Sequence, residues 1–537
     1  MEDMCMRYFS SSGMLRLIGA ALTGAAASTL ALALFAPAQP ARAADVVRYV
    51  AVGGSDVGAC DLSTSPCQTP QYAINVSDPG DVIKIATGTY TSVGTIVFTQ
   101  TNAYTFTQIA FISKTLTISG GYATSNWGVA DPNANATVFD AEGYGRGVTI
   151  FGSGTEAVTV TGLTLTNGDY TGLGNPIGVS SRMCFGFQDD CGGGFYARQA
   201  LIQVQNVSIT NNVASRTRGN ARGGGLYLEG TLDGSTLNAI TVTNNAAAYD
   251  AGFGGGIDLE SVGALTLTNS FVTGNKAKGG GAALSSFSSV GPISISTTRF
   301  EANSSQGFGA VAYVFSSVEG VLRFEQVVIT DTLSQAGDVL AIINDSGTDE
   351  IRLTNVLIAG TVVTAPVPFR GLIYADVQGA QDDGTRINAA HITAANNQGL
   401  ALFEIQAPAP VPSFAGTFTA TLTNTLVTDL PALFLPVQSG SSTISITADH
   451  TLTESVPALT TGAVGTASIT LNNTVGGAAL LGTDYRPQAL SAAIDAGLDL
   501  GIALDASGAA RDSQPDIGAL ESLASPPQKL FLPVLRK

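Results

Sequence analysis

Gln188-Asp189-Asp190-Cys191 holds the pair of residues in this chain that could most readily do chemistry. Two carboxyl groups can cleave a glycosidic bond, one activating water while the other protonates the leaving oxygen. That work needs a fixed separation across the sugar and one pKa raised by its surroundings. Adjacent residues in a polar loop point in different directions, and water keeps both ionised. Asp189 and Asp190 are therefore weak catalytic candidates. They are expected in an exposed loop, where loosely bound calcium is the alternative role. Asp382-Asp383-Gly384 is a second acidic pair and reads as a turn. Arg216, Arg218 and Arg222 read as a basic edge loop. His391, in AAHIT, is expected to alternate outward, and His450 lies in ADHTLTES. No G-x-S-x-G phrase is present, so a serine hydrolase is poorly supported. The acids Asp495, Asp499, Asp505, Asp512, Asp516 and Glu521 sit in short loop phrases. Turn and cap roles are expected for them, with calcium as the only cofactor suggested.

The chain around these residues has 537 residues, of which 12% are charged and 45% hydrophobic, so it should be ordered. Its net charge of -17 argues against nucleic acid, which needs clustered Lys and Arg. Residues 1–43 have the form of a signal peptide. Arg7 and Arg16 precede the apolar run Leu17 to Phe35, and Ala41-Arg42-Ala43 fits a cleavage site. The mature chain is thus expected to be extracellular or at the cell surface, without a stable transmembrane segment. It keeps Cys60, Cys67, Cys184 and Cys191. Their equal short spacings favour local bridges Cys60–Cys67 and Cys184–Cys191.

Internal repetition decides the architecture. VTVTGLTLTNG (158–168), IQVQNVSITNN (202–212), LTLTNSFVTGN (265–275), IRLTNVLIAGT (351–361) and ATLTNTLVTDL (420–430) share one pattern. Apolar residues alternate, a bend residue intervenes, and alternation resumes before a turn. Each phrase is two short strands with one buried face. The bend falls at Gly162, Asn206, Ala239, Asn269, Thr297, Gln326, Asn355, Ala389 and Asn424. A second phrase, as in GGGFYA (192–197), GGGLYLEG (223–230) and GGGIDLES (254–261), supplies a third strand entered through glycines. One such unit cannot bury its own apolar face, so units must stack. The fold expected is all-β: a right-handed parallel β-helix of roughly ten to twelve three-strand coils. Asn at the bend is expected to form an internal amide ladder. The organisation expected is a cap and first coil over 44–90, coils over 91–491, a C-terminal cap region over 492–521, and a Pro-rich linker with a short tail over 522–537. Gln71 to Val76 is expected to form a capping helix.

The phrase YVAVGGSD…CDLSTSPCQTPQYAI…PGDVIKIATGTY resembles the opening coil of the pectin-lyase-like β-helix superfamily, in its secreted bacterial form. Gly254-Gly255-Gly256-Ile257 and Phe300-Glu301-Ala302-Asn303 resemble the repeats of polymorphic outer-membrane proteins, which implies an adhesin-like passenger. AAIDAG…DASGAARDSQPDIGALE (492–521) resembles the choice-of-anchor ends of surface β-helix proteins. The resemblance implies polysaccharide or cell-envelope partners. The polygalacturonases of the superfamily carry paired aspartates like Asp189-Asp190, but their Asn-Thr-Asp, His-Gly and Arg-x-Lys phrases are absent here. The function expected is a non-enzymatic, rigid display scaffold that contacts carbohydrate. A divergent polysaccharide lyase or glycoside hydrolase is the alternative, since fold alone does not establish function.

Overall fold

The computed structural model describes residues 46–99, 103–174, 190–217, 221–247, 252–315, 320–344, 348–364, 371–377, 386–399, 401–406, 417–437, 443–453 and 466–523. The expected signal peptide, Cys184, Asp189, Arg218, Asp382, Asp383 and the tail from residue 524 on lie outside them.

Residues 46–523 build a right-handed parallel β-helix. Consecutive coils lie in exact alternation of the same strand types, so the chain stacks on itself rather than folding back. Among the described residues the first sheet has 20 strands and the second has 12. In the second, Gly94–Thr99 pairs antiparallel with Ala103–Ile112, and every later pair is parallel. The glycine-entered strands expected from GGGFYA, GGGLYLEG and GGGIDLES, here Phe195–Arg198, Leu226–Glu229 and Ile257–Glu260, lie in this second sheet; a further sheet of 5 two-residue strands among the described residues runs from Ala246–Ala247 to Val362–Val363. The helix Pro70–Val76 lies by the first coil, with Thr69 as its N-cap.

Alternation sets the register. Val160, Val204, Leu237, Leu267, Ile295, Phe324 and Leu353 are cross-strand partners in succession. All belong to one continuous buried core. Burying each such side chain contributes about 1.5–3 kcal/mol, and a single-residue slip would turn the whole set to solvent. Ala389 belongs to this inward column, 3% exposed, and is not a bend.

The bend two residues later is His391, at φ +56°, matching Asn206 (+52°), Ala239 (+52°), Asn269 (+51°), Gln326 (+54°), Asn355 (+53°) and Asn424 (+54°). The left-handed conformation explains the frequency of Asn here, because Asn tolerates it better than most residues. It also turns the bend side chain away from the core. The internal ladder therefore does not form at the bend. It forms after the second left-handed turn, at Asn212, Asn245, Asn275 and Asn303, all fully buried. The Nδ2 of Asn212 donates to Oδ1 of Asn245 at 3.0 Å, Asn245 to Asn275 at 3.0 Å, and Asn275 to Asn303 at 3.1 Å. Each Oδ1 also accepts the backbone N–H of the previous ladder residue. In Asn211-Asn212 the first Asn makes the turn and the second makes the ladder.

The segment from Ala479 to Glu521, here the strap, packs along the flank formed by the strands after the bend. That flank carries one outward column in register: Thr164, Ser208, Thr241, Phe271, Arg299, Val328, Leu357, Thr393, Leu426 and Leu452. The strap covers its later part. Leu357 packs with Ala506, Ala519 and Leu520, and Leu426 and Leu452 pack with Ala479, Ala493 and Ile517.

Candidate functional site

Three places gather polar or ionisable groups: the outer face of the second sheet, the strap interface and the uncovered flank.

The second sheet turns Tyr196, Tyr227, Asp258, Ser285, Tyr313, Ala341, Tyr374 and Glu404 outward in one register column. Despite facing out, Tyr196, Tyr227, Asp258 and Glu404 are fully buried. Arg222 is no basic edge residue. It is 5% exposed, and its Nη2 donates to Asp258 Oδ1 and Glu260 Oε2, each at 3.0 Å. The Phe287 ring centroid lies 4.0 Å from the guanidinium. Burial pushes the Glu260 carboxyl up to about 7, with Arg222 opposing. Breaking such a group by removing one partner strands a buried charge, so the triad reads as architecture.

Asp190 is not in an exposed loop. It is fully buried, and its carboxylate accepts from Gly172 N at 2.8 Å, Gly174 N at 3.2 Å and Ser215 Oγ at 2.6 Å. Its oxygens organise the turn after Asp169, so burial and backbone amides, absent from any sequence pattern, decide its role. Arg216 is exposed and pairs with Asp169 at 2.7 Å. Cys60 and Cys67 form a disulfide. Cys191 is also disulfide-bonded, to a partner outside the described residues.

Sequence reasoning missed Asp338. It is buried in the Gly337-Asp338 turn, and burial with the Glu404 charge nearby pushes its carboxyl well above the usual range. Neither of its oxygens has a hydrogen-bond partner among the described residues. Glu404, 66 residues on, accepts Gly371 N at 3.0 Å. No local phrase joins the two; the coil stack does.

The strap corrects the reading of His391. It is 1% exposed, and Nδ1 meets Gly518 O at 3.2 Å while Nε2 meets Asn424 Nδ2 at 3.1 Å. The Nδ1–H donates to the carbonyl and the amide donates to Nε2, so the neutral tautomer fits. Burial, helped by Arg511, lowers its pKa from 6.5 to about 3. Asn424 pairs with the Leu498 peptide in both directions at 2.7 Å, and Asn355 Nδ2 donates to Leu504 O at 2.7 Å. The C-terminal acids are engaged likewise. Asp505 accepts Ser507 N, Ala509 N and Glu521 N and pairs with Arg486. Asp516 accepts Asp495 N and Ser522 N, and Glu521 pairs with Arg511 at 2.8 Å. Among the described residues no group of three or more His, Cys, Asp or Glu is arranged to hold a metal ion.

The uncovered flank holds a groove of about 350 Å³. Thr164, Ser208 and Thr241 form its floor, Asn206 and Ala239 its bend side, and Pro132 and Asn133 its wall. A second hollow, of about 420 Å³, lies on the strap around Arg486 and Pro487.

No family model matches the chain, and no curated protein is similar enough to match it. Among solved structures it is similar to the pectate lyase Pel9A, at 13% identity and a TM-score of 0.35, covering 89% of this chain and 97% of that one. It is also similar to the GH136 lacto-N-biosidase from Eubacterium ramulus, at 11% identity and a TM-score of 0.26, covering 80% and 67%. Superpositions this loose decide nothing about chemistry. The β-helix assignment rests on the strand registers. Among the described residues no helix is long and apolar enough to cross a membrane.

Proposed function

We propose that this chain is a cell-surface or secreted β-helix scaffold that holds polysaccharide without cutting it. The observation that carries this reading is a division of labour. The charged groups of the second sheet, Arg222, Asp258 and Glu260, are sealed and mutually paired. The open groove is lined by hydroxyls, amides and apolar atoms. An acid–base site needs its titratable groups within hydrogen-bond reach of a bound substrate, and the groove offers none among its lining residues. Residues 1–43 supply the export signal. The test is purified protein incubated with pectate, alginate, xylan and chondroitin, with and without calcium. Retention of a polysaccharide without new reducing ends is expected, and depolymerisation would overturn the reading.

A glycan-cleaving enzyme is the second reading, and Asp338 is the observation that favours it. A carboxyl whose pKa is raised by burial and by a second carboxyl nearby is the kind of group that general-acid cleavage uses. Cleavage abolished by Asp338→Asn would establish it.

A further inference from the structure

We propose that the groove on the uncovered flank takes an uncharged polysaccharide chain lying across the coils, with Phe271 as its stacking platform. This deepens the binding function proposed above and rests on it.

The floor repeats a hydroxyl from coil to coil. Thr164, Ser208 and Thr241 are cross-strand partners, so their side chains recur at the strand spacing of roughly 4.8 Å. A polymer of similar units running along this column would meet the same hydroxyl at each coil. The Asn206 side chain, at the exposed bend, makes no hydrogen bond with the described residues and lines the same groove. Hydroxyls and amides both donate and accept, which suits sugar hydroxyls. Phe271 follows Thr241 in the column and points outward, half-buried, from a strand face. A half-buried outward aromatic offers a flat apolar face beside polar groups, which suits the C–H face of a sugar ring.

Charge selects the polymer class. No lining residue of the groove is charged. Arg299, the next residue in the column, is tied to Glu301 at 2.9 Å. The chain carries a net charge of -17, so a polyuronate would meet repulsion and no cation to offset it. A peptide is disfavoured by the molecule's own example. Where this flank does bind a peptide, the strap, the outward column is Val328, Leu357, Thr393, Leu426 and Leu452, apolar but for Thr393, whose hydroxyl accepts Ala519 N. The groove floor has hydroxyls in those places.

The experiment is affinity electrophoresis of the full chain in gels containing xylan, mixed-linkage glucan or galactomannan, against gels containing pectate or alginate. The variants are Phe271→Ala, Phe271→Leu and Thr241→Tyr, the last filling the groove, each checked by thermal melting. Retardation by at least one uncharged polymer is expected. All three variants should weaken it by about tenfold or more at an unchanged melting temperature, Phe271→Leu because it keeps the apolar bulk and loses the ring face. Retardation that survives the variants would place the polysaccharide elsewhere, sinking this site while leaving the binding function intact. Retardation by pectate or alginate alone would sink the uncharged-chain assignment. Retention of none of the polymers would overturn the binding function and this site with it.

Discussion

The flank after the bend is one surface with two fates. From Thr164 to Arg299 its outward column is polar except for Phe271, and the described chain leaves it open. From Val328 to Leu452 it is mostly apolar, and the strap covers it. The backbone beneath is the same in both parts: parallel strands in register and a left-handed bend near φ +50°. The coil therefore dictates neither openness nor cover. What differs is the residue that each coil contributes to this outward column. Four apolar residues in that place make a seat for a second layer, and hydroxyls leave a groove.

The sharpest break in the comparison is removal of the strap by truncation after Ala478. Uncovering Leu357, Leu426 and Leu452, at about 1.5–3 kcal/mol for each buried side chain, should cost on the order of 5 kcal/mol in the later coils. Hydrogen exchange should show lost protection over 320–453 and little change over 157–305. Uniform loss would mean that the two parts are one cooperative unit.

Next in size is the ladder. Asn245→Leu leaves the N–H and Nδ2 of Asn212 without their acceptor, at about 3 kcal/mol for two buried donors. Asn206→Gly, at an exposed bend that already has positive φ, should change stability by about 0.5 kcal/mol or less. Equal melting temperatures for the two variants would refute the distinction between ladder and bend asparagines.

Asn424→Leu should fall between them, at about 2 kcal/mol, because it removes both bonds to the Leu498 peptide. Exchange protection should drop at Leu498 and Gly518 before it drops in the coils.

Acid gives the smallest and most selective effect. His391 has its pKa lowered to about 3 in the folded chain against an ordinary 6.5. The unfolded chain then binds more protons in that window, so stability present above 6.5 is lost as pH falls toward 3. Glu521, raised to about 7, acts oppositely and favours the strap as pH falls through 7. The two effects cancel between about 4.5 and 6.5, so strap protection should decline only on acidification below about 4.5, and His391→Gln should flatten that decline. An identical pH profile in the variant would show that His391 does not control the strap.

Much of the fold was legible because alternation is local. The inward columns, the bend near Asn206 and Asn355, the glycine-entered third strand and the Cys60–Cys67 bridge all follow from spacings within one coil. The displaced bend is instructive. Reading Ala389 as the bend put His391 on the outside, whereas Ala389 keeps the inward column and His391 makes the turn. The outward residues Val328, Leu357 and Leu426, in VVIT, VLIA and TLVT, are apolar, a sign of a cover that the expectations above did not use.

What covered them was decided only in three dimensions. The strap reaches His391 across 127 residues to Gly518, and Asn355 across 149 to Leu504. Asp338 meets the charge of Glu404, and Arg222 finds Asp258, through coils laid side by side. Sequence alone determined which residues of each coil face in and which face out, because a strand's side chains alternate with period two. Whether an outward Asn, His or Asp then met water, a peptide or another carboxyl depended on which distant segment the stacking brought above it, and burial, which sets both charge state and hydrogen-bond partner, is a property of that neighbour.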